Sequence, residues 1–101
     1  MFSGGTYEEV ARWLRNFLTS HAKRVHPRIE VDLDSGEARE GRSYGARLRL
    51  GDRVSDLIEL DYKEVADQRG TLAWCSTLAN RTRDIARLLL AAAPSGDVRA
   101  R

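Results

Sequence analysis

The sequence predicts an α+β fold: a two-layer sandwich in the order α-β-β-β-α, with a three-stranded antiparallel meander and both helices on one face. Two observations carry that expectation. Between Ile29 and Tyr62 apolar and charged residues alternate with a period of two, the pattern of strands with one buried face. On either side, apolar residues recur at three- and four-residue steps, the pattern of helices with one buried stripe. A one-sided sheet and two one-sided helices hide all three apolar surfaces most simply by stacking in two layers.

The first helix opens at Thr6-Tyr7-Glu8-Glu9, a T-x-x-E capping box in which Thr6 accepts from the Glu9 amide and Glu9 reaches back. Tyr7, Val10, Leu14, Phe17, Leu18 and His21 form its apolar stripe. Arg12, Asn16 and Lys23 point away from it, and Trp13 lies on the flank. Pro27 bars the α conformation at His26, so the chain turns extended there.

In the first strand Ile29, Val31 and Leu33 alternate with Glu30, Asp32 and Asp34. A charged, glycine-bounded loop, Ser35 to Arg42, is expected to be mobile. Tyr44, Ala46, Leu48 and Leu50 then alternate with Gly45, Arg47 and Arg49, and after Gly51-Asp52 come Ile58, Leu60 and Tyr62. Cross-strand partners must share a face. The first hairpin therefore pairs Leu33 with Tyr44 and Val31 with Ala46. In the second, a plain two-residue turn would put the apolar sets on opposite faces, so the connection needs an odd loop or a bulge between Gly51 and Ser55. A five-residue loop sets Leu48 against Ile58 and stands Arg47 between Glu30 and Glu59.

Lys63 to Gly70 reads equally as strand end, loop or helical turn. A second helix is expected from Thr71 to about Ala93, with Leu72, Cys75, Leu78, Thr82, Ile85 and Leu89 on its apolar stripe, until Pro94-Ser95-Gly96 ends it. The whole forms one domain over residues 1–101, with an ordered core of about 6–93 and flexible ends at 1–5 and 94–101. The order of elements is that of the double-stranded RNA-binding domain. That family's Gly-Pro-x-His loop and Lys-Lys-x-Ala-Lys helix start are absent at Ser35 to Arg42 and at Thr71 to Cys75, so the likeness is one of order alone.

Composition narrows the function classes. A hydrophobic fraction of 42% and a charged fraction of 32% belong to a folding chain rather than a disordered one. The start of the chain shows no apolar leader, and no apolar run is long enough to span a bilayer, so neither export nor a membrane partner is expected. A lone cysteine, Cys75, suits a reducing interior, which points to the cytoplasm. The net charge of +2 hides a segregation: Thr6–Arg28 and Val65–Arg101 carry +3 each and Ile29–Glu64 carries −4.

No residue pattern here amounts to catalytic, cofactor or metal chemistry. Cys75 lies on the core stripe of its helix and reads as a small buried hydrophobe. His21 and His26 are off the i, i+4 spacing of a helical metal pair. Glu30, Asp32 and Asp34 lack the glycine and distal glutamate of an EF-hand and are better explained by pairing with Arg47 and Arg49. The expectation is therefore a non-enzymatic binding or adaptor module acting through protein contacts, with a homodimer as one form. Its candidate interface is Trp13, Leu57 and Trp74, supplemented by the open sheet edges. The principal alternative is binding to a nucleic-acid backbone or another anion through Arg12, Arg15, Arg81, Arg83 and Arg87. A weaker alternative is a small enzyme using Cys75 with His21.

Overall fold

The computed structural model describes the backbone of residues 5–98 and the side chains of residues 5–91; of the ends expected to be flexible, 1–4 and 99–101 lie outside the described residues, and the backbone of 94–98 is helical. Seven elements follow in order: α1 (Tyr7–Val25), β1 (Glu30–Asp34), β2 (Ser43–Leu50), β3 (Arg53–Val54), β4 (Ile58–Asp61), α2 (Tyr62–Gln68) and α3 (Leu72–Val98). The fold is the expected α+β sandwich, with α1 and α3 packed on the sheet, and it gains a two-residue strand and a short helix. Among the described residues no helix is long and apolar enough to cross a membrane.

Local chemistry explains the ends of the elements. At the start of α1 the Glu9 amide donates to Thr6 Oγ1 and the Thr6 amide to Glu9 Oε1, both at 3.1 Å. At its end His26 is extended before Pro27, and the Lys23 ammonium donates to the Pro27 carbonyl at 2.8 Å. The ambiguous stretch after Tyr62 is helix α2, because the Asp61 carboxylate accepts from the Glu64 amide at 3.0 Å and caps a new first turn. α3 continues past the expected stop at Ala93. Leu72, the first residue of α3, is 81% exposed rather than on the core stripe, whereas Leu78, Thr82, Ala86 and Leu89 are buried further along.

The sheet has β2 at its centre, β1 on one side, and β3 and β4 on the other, all antiparallel. Val10, Leu14, Leu18 and Ala22 of α1 close over Ile29, Tyr44, Ala46, Leu48 and Ile58. Tyr44 is fully buried and its hydroxyl donates to the Tyr7 carbonyl at 2.7 Å, while the Tyr7 hydroxyl donates to the Ser43 carbonyl. The two rings stack with centroids 4.6 Å apart, which ties the start of α1 to the start of β2.

Both hairpin registers differ from the sequence expectation by two residues. Leu33 faces Ala46 and Val31 faces Leu48, not Tyr44 and Ala46; Ala46 faces Ile58 and Tyr44 faces Leu60. A shift of two keeps every side chain on its face, so alternation alone cannot separate the two registers. The parity conflict in the second hairpin is resolved by a bulge. Gly51-Asp52 makes a two-residue turn, Gly51 taking φ +63 at the first central position as a type II′ turn requires, and sets Leu50 against Arg53. The pairing slips by one residue between Val54 and Ile58. At the slip the Ser55 amide donates to the Leu48 carbonyl at 2.8 Å, and the Leu48 amide donates to Ser55 Oγ at 2.9 Å. The serine hydroxyl thus takes the place of the missing backbone acceptor.

Candidate functional site

The outer face of the sheet, away from the helices, carries three rows of side chains. In one row Asp34 and Glu59 flank Gly45 from the two neighbouring strands. Arg39, from the loop between β1 and β2, lies across that gap. Its Nη1 and Nη2 donate to Glu59 at 2.7 and 3.0 Å, and its Nε donates to Asp34 at 3.2 Å. The loop is therefore not free: it folds as turns, with the Gly36 amide donating to Asp34 Oδ1 at 3.0 Å. The Arg39 hydrogen bond holds the Glu59 carboxyl below its usual range, and the Gly36 amide followed by Arg39 does the same for Asp34. In a second row Arg49 bonds Glu30, its cross-strand partner, at 3.1 Å, and it reaches Asp32 of the third row at 3.0 Å. Arg47 does not stand between Glu30 and Glu59 as the sequence register implied. It is exposed and lies opposite Asp32, whose carboxylate is taken by Arg49. Arg47 lines an outer groove of about 610 Å³ together with Val54 and Leu57.

The sequence-predicted interface residues lie in three separate places. Trp13 stacks on Phe17, with centroids 4.9 Å apart, on the flank of α1. Trp74 is in the first turn of α3, its indole donating to Glu64 Oε2 of α2 at 3.1 Å. Leu57 is on the outer sheet face, 37% exposed. Leu57 belongs to a larger apolar set that the sequence reading missed. Val54 is 51% exposed and shares the outer groove with Leu57; it also lines a second groove with Ile85, Leu88 and Leu89, where Leu88 is 70% exposed. A signal for Leu88 was present in Leu88-Leu89-Leu90, since three successive residues sweep about 200° of a helix and exceed one core stripe.

The five candidate arginines do not form one surface. Arg12 and Arg15 are exposed on α1. Arg81 borders a groove with Glu59, Glu64 and Trp74. Arg87 pairs with Asp84 at 3.1 Å. Arg83 turns inward, donating to His21 Nδ1 at 3.0 Å and to Asn80 Oδ1. That contact follows a ladder along α1, Trp13 to Phe17 to His21. Burial first, then the charges of Arg83 and Arg24, lower the His21 pKa.

His21 and Cys75 are not brought together. His21 meets Arg83, two turns of α3 or about 12 Å along the helix from Cys75. The Cys75 thiol donates to the Arg69 carbonyl at 3.3 Å, and burial raises its pKa. Among the described residues no group of three or more His, Cys, Asp or Glu side chains comes together that could hold a metal ion. No protein-family model, curated protein or solved structure matches this chain.

Proposed function

We propose that the protein is a small cytoplasmic binding module that works through protein contacts, and that it pairs with a second copy of itself along the edge formed by β3 and α3. One observation carries the reading: Val54, Leu57 and Leu88, three of the four large apolar side chains left exposed among the described residues, gather at this edge. Large apolar patches on a folded surface mark contact sites.

The chemistry of the edge favours a self-complementary contact. Leu88 protrudes beside a groove of about 240 Å³ that Val54, Ile85 and Leu89 line, so a two-fold axis would seat each Leu88 in the other copy's groove. Asp56 lines the same groove, and Asp84 and Arg87 come just before Leu88 on α3, so acids and a base near the contact can pair reciprocally across such an axis. Size-exclusion chromatography with light scattering on the protein and on Leu88→Glu tests this. The unaltered chain is expected to run as a dimer. Burying one leucine contributes about 1.5–3 kcal/mol and the contact uses two, so Leu88→Glu should weaken association at least about a hundredfold. Identical monomeric masses for both proteins would refute the proposal.

A further inference from the structure

At the opposite end of β2 from Arg39, a groove of about 910 Å³ opens between the end of α1, the start of β1 and the β2–β3 turn. Its size is that of a small-molecule cleft. Lys23, His26, Arg28, Arg49 and Arg53 line it, against the carboxylates of Glu30 and Asp52.

The cations differ in how far the fold uses them. Arg49 is committed to Glu30 and Asp32, and Lys23 bonds the Pro27 carbonyl. Arg28 has no hydrogen-bond or ion-pair partner for its guanidinium among the described residues. Arg53 is part-buried, and its Nε is the one buried side-chain nitrogen or oxygen among the described residues left without a partner. A buried guanidinium N–H without an acceptor is costly, and an acceptor from outside the chain, a water or a ligand oxygen, would relieve that cost. His26 adds a further donor. Its Nδ1 accepts from the Arg28 amide at 3.1 Å, which leaves the proton of the neutral ring on Nε2.

We propose that this groove binds a small phosphorylated molecule, its phosphate held by Arg28 and Arg53 with Lys23 beside them. Guanidinium groups match phosphate oxygens in pairs. Counting Lys23, Arg28, Arg49 and Arg53 against Glu30 and Asp52, the lining keeps a surplus of positive charge for a phosphomonoester or diphosphate. The two carboxylates also argue against a nucleic-acid chain, because a phosphodiester backbone running on from the groove would meet them. Arg12, Arg15 and Arg81 do not line the groove and offer it no basic continuation. The inference is independent of the pairing edge at Val54 and Leu88.

The test is an amide NMR titration of the full chain with sodium pyrophosphate at constant ionic strength, with sodium chloride and a single-stranded oligonucleotide as parallel arms. Pyrophosphate should shift the amides of His26, Arg28 and Gly51 to Arg53 saturably. Arg53→Gln and Arg28→Gln should each weaken that binding about tenfold or more, with unchanged thermal melting. Arg28, on the surface, carries the test should Arg53→Gln fail to fold. The proposal is overturned by no saturable shift at these amides, by equal shifts with chloride, by tighter binding of the oligonucleotide, or by unchanged affinity in Arg28→Gln.

Discussion

The guanidinium of Arg39 occupies the space that a side chain on Gly45 would need: a Cβ at Gly45 would come within 2.7 Å of Arg39 Nη2. Gly45 is the third residue of the central strand β2, paired on both sides, with Asp34 and Glu59 as its cross-strand neighbours. Its lack of a side chain is what lets one arginine bridge two carboxylates across three strands. The loop cation, rather than a strand cation, thus neutralises this row of the sheet.

Gly45 and Arg39 should therefore be energetically coupled. Alanine ordinarily stabilises a strand interior over glycine by about 0.5–1 kcal/mol. That gain is expected for Gly45→Ala in an Arg39→Gln background and should be lost in the wild-type background, where the new methyl displaces the guanidinium. Urea denaturation of the four proteins of the double-mutant cycle measures the coupling; additive effects would count against the bridge.

The same bridge contributes to the acid limb of stability, beside the Gly36 amide on Asp34 and Arg49 on Asp32, which is also held low. Asp34 and Glu59 have folded pKa values lowered from 3.8 and 4.5, so the stability they contribute is complete above those ordinary values and is lost as pH falls through the lowered ones. Arg39→Gln should flatten that limb in denaturation midpoints measured at a series of acidic pH values. An unchanged limb would mean that other carboxylates dominate it.

Ser55→Ala should destabilise the protein by about 1–3 kcal/mol, because it leaves the Leu48 amide at the bulge without its hydroxyl acceptor. Faster hydrogen exchange at Leu48 in the variant, with little change at Ala46, would locate the effect.

His21 titrates in a separate window. Its folded pKa lies below 6.5, so the unfolded chain takes up the proton first, and stability should fall as pH drops below 6.5 until the folded value is reached. Arg83 from α3 and Arg24 on its own helix both oppose the charged ring. His21→Gln should remove that slope; a slope that persists in the variant would assign it to another group.

What could be read from the sequence was local or governed by parity. The Thr6 and Glu9 capping box depends on residues three apart, and it forms as expected. Alternation assigned Tyr44, Ala46, Leu48, Ile58 and Leu60 to the core and required a slip in the second hairpin, and both hold. Register was not legible, since pairings two residues apart preserve every face. Asp61-x-x-Glu64 has the same spacing as Thr6-x-x-Glu9, but strand alternation running through Tyr62 masked the start of α2. The bridge at Arg39 depends on how eight loop residues fold, which no periodicity encodes. At the proposed contact edge only Leu57 was legible, as an apolar residue on a charged face. Val54 was hidden by the unexpected strand β3, and Leu88 by the stronger apolar stripe of Leu78, Thr82, Ile85 and Leu89 on the same helix.

Sedimentation equilibrium of the unaltered protein across a concentration series tests the central claim most directly. Self-pairing through Val54, Leu57 and Leu88 predicts a mass that rises with concentration from 11.4 kDa to twice that value and no further, because a two-fold contact closes on itself. A mass that stays at 11.4 kDa throughout would contradict it.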